Sequence, residues 1–451
     1  MRPAAPVWWR RPGGMPSGSR MLLLLAGCAA GGSGTAGLPT ATLAAFVPTV
    51  VEVRWETAER SRGFVEFNVV GEPTRATPPE SEATDVHSRL LLGLPIDSEV
   101  EFTVFDEAGA VGEAHRITTG TVPNDWASFT TTGEPSWDGF MVLGVAGAMA
   151  DLMIIDTQGR PVWWATDTSA EAQVIHAFPS ADRTGILASF GGTQAGESAT
   201  IVLTDWSAGT QRSVQVAEFS HDFVERADGG LAALTYVSHV DESGNECLSE
   251  GVTEFDFDGT VDLVWDAWDS FAGRTAPCDS YAEGWTHANA LDWDEARQRY
   301  TIGLRNLATI VTIDRHTGSE VWSVGDYGTI GFADPADAFV WQHQFELLAT
   351  ENVLVFDNGS DHTAASRVVE LSLDREAALA ETVWSYTPDP ALYVYALGDV
   401  LRLPNANTLI DWSTAGRVEE VSPDGQTVWQ LDVGLGSGFG YMAVFDDFYL
   451  R

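Results

Sequence analysis

Four histidines each stand at the start of a short strand-like run: His176 in VIHAF, His221 in SHDFV, His287 in THANAL and His343 in QHQFEL. An imidazole titrates near neutrality and serves as nucleophile, base or acid, and a guanidinium beside it holds and polarises an anionic group. Arg305, in GLRN, follows His287 by 18 residues. Two imidazoles and Arg305 gathered around a third imidazole suit transfer of a sulfuryl or phosphoryl group through a histidine-bound intermediate, with fixed donors meeting the charge on the transferred oxygens. The competing reading makes each histidine a hydrogen-bonded structural residue. Four at equivalent places in a repeat weigh against it, whereas for His176 taken singly both readings stand.

The four lie 45, 66 and 56 residues apart, close to the length of one β-propeller blade, so a closed ring would bring them to its central axis. The elements that would do so form a six-fold repeat, in which an alternating apolar strand ends in a turn and a second strand follows. The copies are LMIIDTQGRPVWW (152–164), IVLTDWSAGTQRSVQV (201–216), VTEFDFDGTVDLVW (252–265), IVTIDRHTGSEVW (310–322), VVELSLDREAALAETVW (368–384) and VEEVSPDGQTVW (418–429). Five of the six carry a Trp in the second strand, where it reads as packing between sheets. Copies begin 49, 51, 58, 58 and 50 residues apart, as four-stranded blades require. Turns such as Asp258-Gly259 and Asp424-Gly425 supply the left-handed positions of tight hairpins.

These copies are expected to be the outer two strands of each blade, with two inner strands ahead of them. Antiparallel return then sets Arg305 beside His287, His239 beside His221, and Asp357 and Asn358 beside His343. Asp357 and Asn358 either orient His343 or satisfy turn amides. The fifth inner strand, near Gly398, offers no imidazole, and the sixth must come from the C-terminal YMAVFDDFYL (441–450), closing the ring and removing exposed edges. The expected fold is therefore all-β: a six-bladed β-propeller over residues 135–451.

The 451 residues suit one propeller and an accessory module. Acids outnumber bases 65 to 24, and every base is Arg, so the field repels nucleic acid and acidic membrane surfaces. The acidity itself reads as a surface adaptation to solubility or salt. Near the N-terminus an apolar run ends in Leu25-Ala26-Gly27-Cys28, which matches the bacterial lipobox in which Cys28 is lipidated after cleavage. Residues 1–39 are thus expected to be a lipoprotein signal and flexible tether, with Met15 an alternative start, on an exported periplasmic or cell-surface protein. Membrane contact is expected through that anchor alone; a buried helix in a cytoplasmic protein is the other reading. In an oxidising compartment Cys247 and Cys278 can pair, although two separate structural cysteines remain the alternative. Residues 40–123 hold short alternating strands, among them VVEVRW, GFVEFNVV and EVEFTVF, and resemble a fibronectin type III β-sandwich.

The segments SHDFVERADGGLAALTY, GWTHANALDWDEARQRYTIGLRN, WQHQFELLATENVLVFDNGS and LRLPNANTLIDWSTAGRVEEVSPDGQTVW, taken in order, resemble the bacterial aryl-sulfate sulfotransferase family over residues 135–451. The resemblance implies a six-bladed propeller with an N-terminal β-sandwich. It also implies ping-pong transfer of a sulfuryl group from an aryl sulfate donor to a phenolic acceptor, without an adenylyl sulfate donor (PAPS) and without a cofactor. It makes His343 the transiently sulfated nucleophile, His221 and His287 its assistants, and Arg305 the ligand of the sulfate oxygens. Substrate contacts are then sought at Asp357, Asn358, Tyr236, Trp412 and His176. Tyr236, Trp285, Trp341, Tyr395 and Trp412 either stack on a phenol or merely pack. Three converging histidines would also suit zinc or copper, but a fixed guanidinium among them opposes a cation, so no metal is assigned. A propeller lipoprotein that binds a ligand or cell-surface polymer and does no chemistry is the alternative function.

Overall fold

A computed structural model describes residues 38–122, 128–146, 152–165, 173–192, 194–275, 284–359, 365–434 and 438–450. Cys28 and Cys278 lie outside the described residues. The chain is all-β, with strands paired almost entirely antiparallel and, among the described residues, one short α-helix, Ala267–Phe271.

From residue 140 onward, six sheets follow one another along the chain, each an up-and-down meander. Sheet 1 runs from Phe140–Ala146 through Leu152–Asp156 to Pro161–Ala165, and its innermost strand is Gly438–Phe445 from the far end of the chain. Sheet 2 begins with Gln173–Pro179, sheet 3 with Phe219–Glu225, sheet 4 with Ala288–Asp294, sheet 5 with Phe345–Leu347 and sheet 6 with Asp399–Arg402. The six repeat copies fall on the outer two strands of these sheets, as their alternation and turns predict.

Apolar side chains from both faces make six cores, one between each consecutive pair of sheets. Leu187 and Ile201 of sheet 2 meet Phe219 and Phe223 of sheet 3, Leu234 and Val252 meet Leu291 and Ile302, and Ile310 and Val324 meet Val353 and Val369. The circuit closes where Leu409, Val418 and Trp429 of sheet 6 pack on Met141, Leu143 and Phe439 of sheet 1. Sheets buried on both faces give near-continuous apolar strands such as LMIID and TIVTID, because no face is left for polar alternation. Packing at the axis is tight: a Cβ on Gly440 would meet the Ile175 carbonyl oxygen at 2.5 Å, so sheet 1 reaches sheet 2 only without a side chain there.

The C-terminal strand occupies the place the hydrophobic pattern assigned to it, shifted to Gly438–Phe445. Beyond it Phe448 enters the core of sheets 1 and 2. Phe129–Gly133 adds a fifth strand to the outside of sheet 6, so the stretch between the two modules is structural and clasps the ring a second time. Its pattern, FTTTG, is too polar to have announced a strand.

Residues 40–118 form two facing sheets around Val53, Trp55, Val65, Phe67, Phe102 and Val104. This module is docked on sheet 1. Thr49 donates to the Val162 carbonyl at 2.7 Å, and the Tyr449 hydroxyl accepts from the Leu92 amide and donates to the Leu90 carbonyl. Arg75 lies 5.5 Å over the Phe140 ring.

Candidate active site

At the start of the innermost strand, sheets 3 to 6 each hold a non-glycine residue in the left-handed region: His221 (φ 54), His287 (φ 45), Trp341 (φ 57) and Leu397 (φ 59). A side chain there costs of order 1–3 kcal/mol, and such strain gathers where function needs a particular direction. Pairing with the second strand is irregular at the same place, between Phe219 and Phe223 in sheet 3 and between Ala288 and Ala290 in sheet 4. The two-residue alternation is broken there, which frees the histidines from both sheet faces.

His221 and His287 meet with ring centroids 4.6 Å apart. Arg305 returns beside His287 as hairpin geometry requires, its amide donating to the His287 carbonyl at 3.1 Å, and its guanidinium lies 5.1 Å over the Trp341 ring. Its Nη1 also donates to the Asn306 side chain at 3.0 Å. His343, 3% exposed, completes the group from sheet 5: burial, with Arg305 and His221 nearby, pushes its imidazole down to about 3. His221 is pushed down to about 4, first by burial and also by Arg305, against the opposing Asp222 charge. Both rings are therefore neutral at physiological pH, because a buried cation beside a guanidinium is doubly disfavoured.

Asn358 sets the tautomer of His343. Its Nδ2 donates to the Val394 and Leu397 carbonyls at 2.9 and 2.8 Å, which turns its Oδ1 toward His343 Nδ1 at 2.7 Å. An amide oxygen only accepts, so Nδ1 carries the proton and Nε2 keeps its lone pair. Asp357 does something else: it accepts from the Val340 and Gly359 amides and from Arg367, holding the turn under the site.

The remaining expected residues separate. Tyr236 is 5% exposed, with its ring beside Gly284, three residues ahead of His287. Trp412 offers no face to a ligand: it is wholly buried between sheets 5 and 6 against Phe356 and Tyr386, its indole donating to Glu419. It is a packing residue. Tyr395 is 65% exposed on the loop whose Val394 and Leu397 carbonyls hold Asn358. His176 lies one sheet away, its Nδ1 2.6 Å from Asp222 and its ring edge-on to Tyr441. His239 does not return to His221, because the second strand of sheet 3 runs past the hairpin and carries it to Asp266 and a stack on Trp268. Cys247 is buried on the third strand of sheet 3.

The residues that sequence reasoning passed over are Asp222, Asn289, Gln342, Gln344 and Tyr441, which tie the sheets together beneath the histidines. Asn289 donates to the Gln342 carbonyl, Gln342 to the Leu304 and Thr309 carbonyls, and Tyr441 to the Asn289 carbonyl. Their signal was present as polar residues inside otherwise apolar innermost strands, in HDF, HANAL and QHQF. Among the described residues no three of His, Cys, Asp and Glu are grouped to hold a metal ion.

Three histidines and an arginine thus stand near one end of the innermost strands of an all-β ring of sheets. The chain belongs to the arylsulfotransferase (ASST) family, which it matches over residues 137–432. No curated protein matches it. Among solved structures it is similar to a Bacteroides caccae protein of unknown function (TM-score 0.43, 12% identity, 69% of this chain and 100% of that one). It is also similar to the periplasmic gluconolactonase PpgL of Pseudomonas aeruginosa (TM-score 0.40, 12% identity, 86% and 99%). Both likenesses are too distant to bear on function.

Proposed function

We propose that the protein is a six-bladed β-propeller sulfotransferase, independent of PAPS, that moves a sulfuryl group from an aryl sulfate to a phenol by ping-pong through sulfated His343. The observation that carries this reading is the meeting of His221, His287, His343 and Arg305, with His343 neutral and its Nε2 lone pair set by Asn358. Nε2 attacks sulfur, the sulfur–oxygen bond to the aryl group breaks, and the phenolate leaves. The ring becomes cationic, and its Nδ1–H donates more strongly to Asn358. Arg305 holds the sulfuryl oxygens as their charge redistributes. In the second half His221, held neutral, takes the proton of the incoming phenol, whose oxygen attacks sulfur, and then gives that proton up to solvent. The nitrogen–sulfur bond breaks and returns His343 to its first state.

The proposal extends to the rest of the chain: residues 40–123 as a fibronectin type III-like module, residues 135–451 as the catalytic propeller, a bridge between Cys247 and Cys278, and export with a lipid anchor at Cys28. Donor and acceptor are small aromatic molecules, and exposed Tyr395 stands next to Val394, whose carbonyl accepts from Asn358. The test is release of nitrophenol from a nitrophenyl sulfate with a phenol acceptor, followed by mass spectrometry of the enzyme trapped without acceptor. Turnover with a sulfated His343 is expected; no phenol release above buffer would sink the reading.

A further inference from the structure

We propose that Asp222 is the positioning residue of this site, a buried carboxylate that, hydrogen-bonded to His176, holds the strands bearing His221, His287 and His343 in mutual register. It rests on the sulfotransferase reading for its functional consequence, although its geometry stands apart from it.

Asp222 is completely buried and takes four N–H donors. Oδ1 receives His176 Nδ1–H of sheet 2 at 2.6 Å and the Phe223 amide of its own sheet at 2.8 Å. Oδ2 receives the Leu291 amide of sheet 4 at 2.8 Å and Gln344 Nε2–H of sheet 5 at 2.7 Å. One carboxylate thus joins four of the six sheets at the axis. The knot reaches all three strands that carry the site: Asp222 follows His221, Gln344 follows His343, and Leu291 lies on the strand that begins after His287. Hydrogen bonds between sheets have defined lengths and directions, whereas apolar packing lets neighbouring sheets slide, so this knot determines the relative heights of the three imidazoles.

Charge balance explains His176. Burial disfavours its cation, but the Asp222 charge and hydrogen bond, with Asp399, more than offset that, so its imidazole is raised above the ordinary value. Asp399 and Tyr441 also face His176, while His221, Asp292, Asp399 and Tyr441 face Asp222. Of the neighbouring acids, Asp399 is pushed up to about 7 by burial and Asp292 to about 6. His176 thus faces Asp222 as a hydrogen-bonded partner whose cation the knot favours. Removing either partner leaves the other without its hydrogen bond in the interior, and removing both does not.

The experiment uses the full chain with Asp222→Asn, His176→Asn, the double variant and Gln344→Met, which deletes one donor and keeps the volume should Asp222→Asn fail to fold. With a nitrophenyl sulfate, Asp222→Asn is expected to lower kcat by roughly tenfold to a hundredfold with KM nearly unchanged, and Gln344→Met by several-fold. The double variant is expected to be no worse than Asp222→Asn alone, since the pair acts as a unit. Histidine-labelled NMR is expected to show the His176 titration moved to lower pH and the His221, His287 and His343 signals shifted in Asp222→Asn relative to the wild type. Wild-type kcat in both Asp222→Asn and Gln344→Met, a fully multiplicative double variant, or spectra altered at His176 alone would overturn the proposal. If the wild type turned over no aryl sulfate while the three signals still moved together, the sulfotransferase reading would fall and the register role would stand.

Discussion

Two buried histidines, one in each module, show what separates a site from a core. His87, in the N-terminal module, is wholly buried, stacked on Trp55 at 4.7 Å, and both ring nitrogens are engaged: Nδ1 with Glu80 at 2.6 Å and Nε2 with Thr57 at 2.9 Å. His343 is also buried, and among the described residues its side-chain partner is the amide oxygen of Asn358. The first arrangement saturates the imidazole and gives it a structural role. The second uses one nitrogen for orientation and leaves the other with its lone pair. Burial alone therefore does not single out a candidate histidine; what singles out His343 is an amide partner in place of a carboxylate, with Arg305 and His221 nearby.

Four experiments test that contrast. Largest, His343→Ala is expected to lower kcat/KM by about 10³-fold or more and to abolish covalent labelling of the enzyme, because no neighbouring group replaces the nucleophile. Arg305→Ala should cost about 10²–10³-fold in kcat, and Arg305→Lys should recover only part, since a point charge does not match the planar fork. Asn358→Ala is expected to lose roughly 10–100-fold in kcat as the tautomer is released. Asn358→Asp adds a carboxylate beside His343, raises its pKa and moves the acid limb of the kcat/KM profile to higher pH, where wild type stays flat. Smallest, His87→Phe should change kcat/KM by less than about twofold while lowering Tm, since it removes two buried hydrogen bonds, each contributing about 1 kcal/mol. An equal loss of activity in His87→Phe and His343→Ala would erase the distinction between the modules.

Stability should carry the same signature. His343 and His221 sit near 3 and 4 in the fold against an ordinary 6.5, so the unfolded chain binds protons that the folded one refuses. Their contribution is full above pH 6.5 and is lost as pH falls toward 4, and a joint substitution of both by Gln should flatten the Tm profile in that window. Glu250 runs the other way. Burial pushes it up to about 8, so its contribution is full below 4.5 and lost as pH rises through 8, and Glu250→Gln should remove that slope.

Much of the scaffold was legible before any coordinates. Six copies of a turn between apolar strands marked the outer strands of six sheets, and the lack of an innermost partner for Phe140–Ala146 pointed to the C-terminus, because a sheet edge at the axis is costly. Hairpin return placed Arg305 against His287 and Asn358 against His343. The same rule failed for His239, whose strand continues past the turn, and aromatic character alone misjudged Trp412, whose ring is enclosed by Phe356 and Tyr386. Period and pairing are local properties that side-chain alternation records; how far a strand overruns its hairpin is set by what it packs against.

The amino-acid pattern by itself determined that this chain makes sheets, that it makes six in series, and that basic residues cluster at the starts of their innermost strands. Only the tertiary structure decided which of those residues share one small space, which imidazole keeps a lone pair, and that Asp222 gathers four sheets at the axis. The reason is physical. A repeat fixes directions through bonds between neighbours in the chain, but charge, desolvation and hydrogen-bond saturation depend on residues more than a hundred positions apart, and those distances exist only once the circuit has closed.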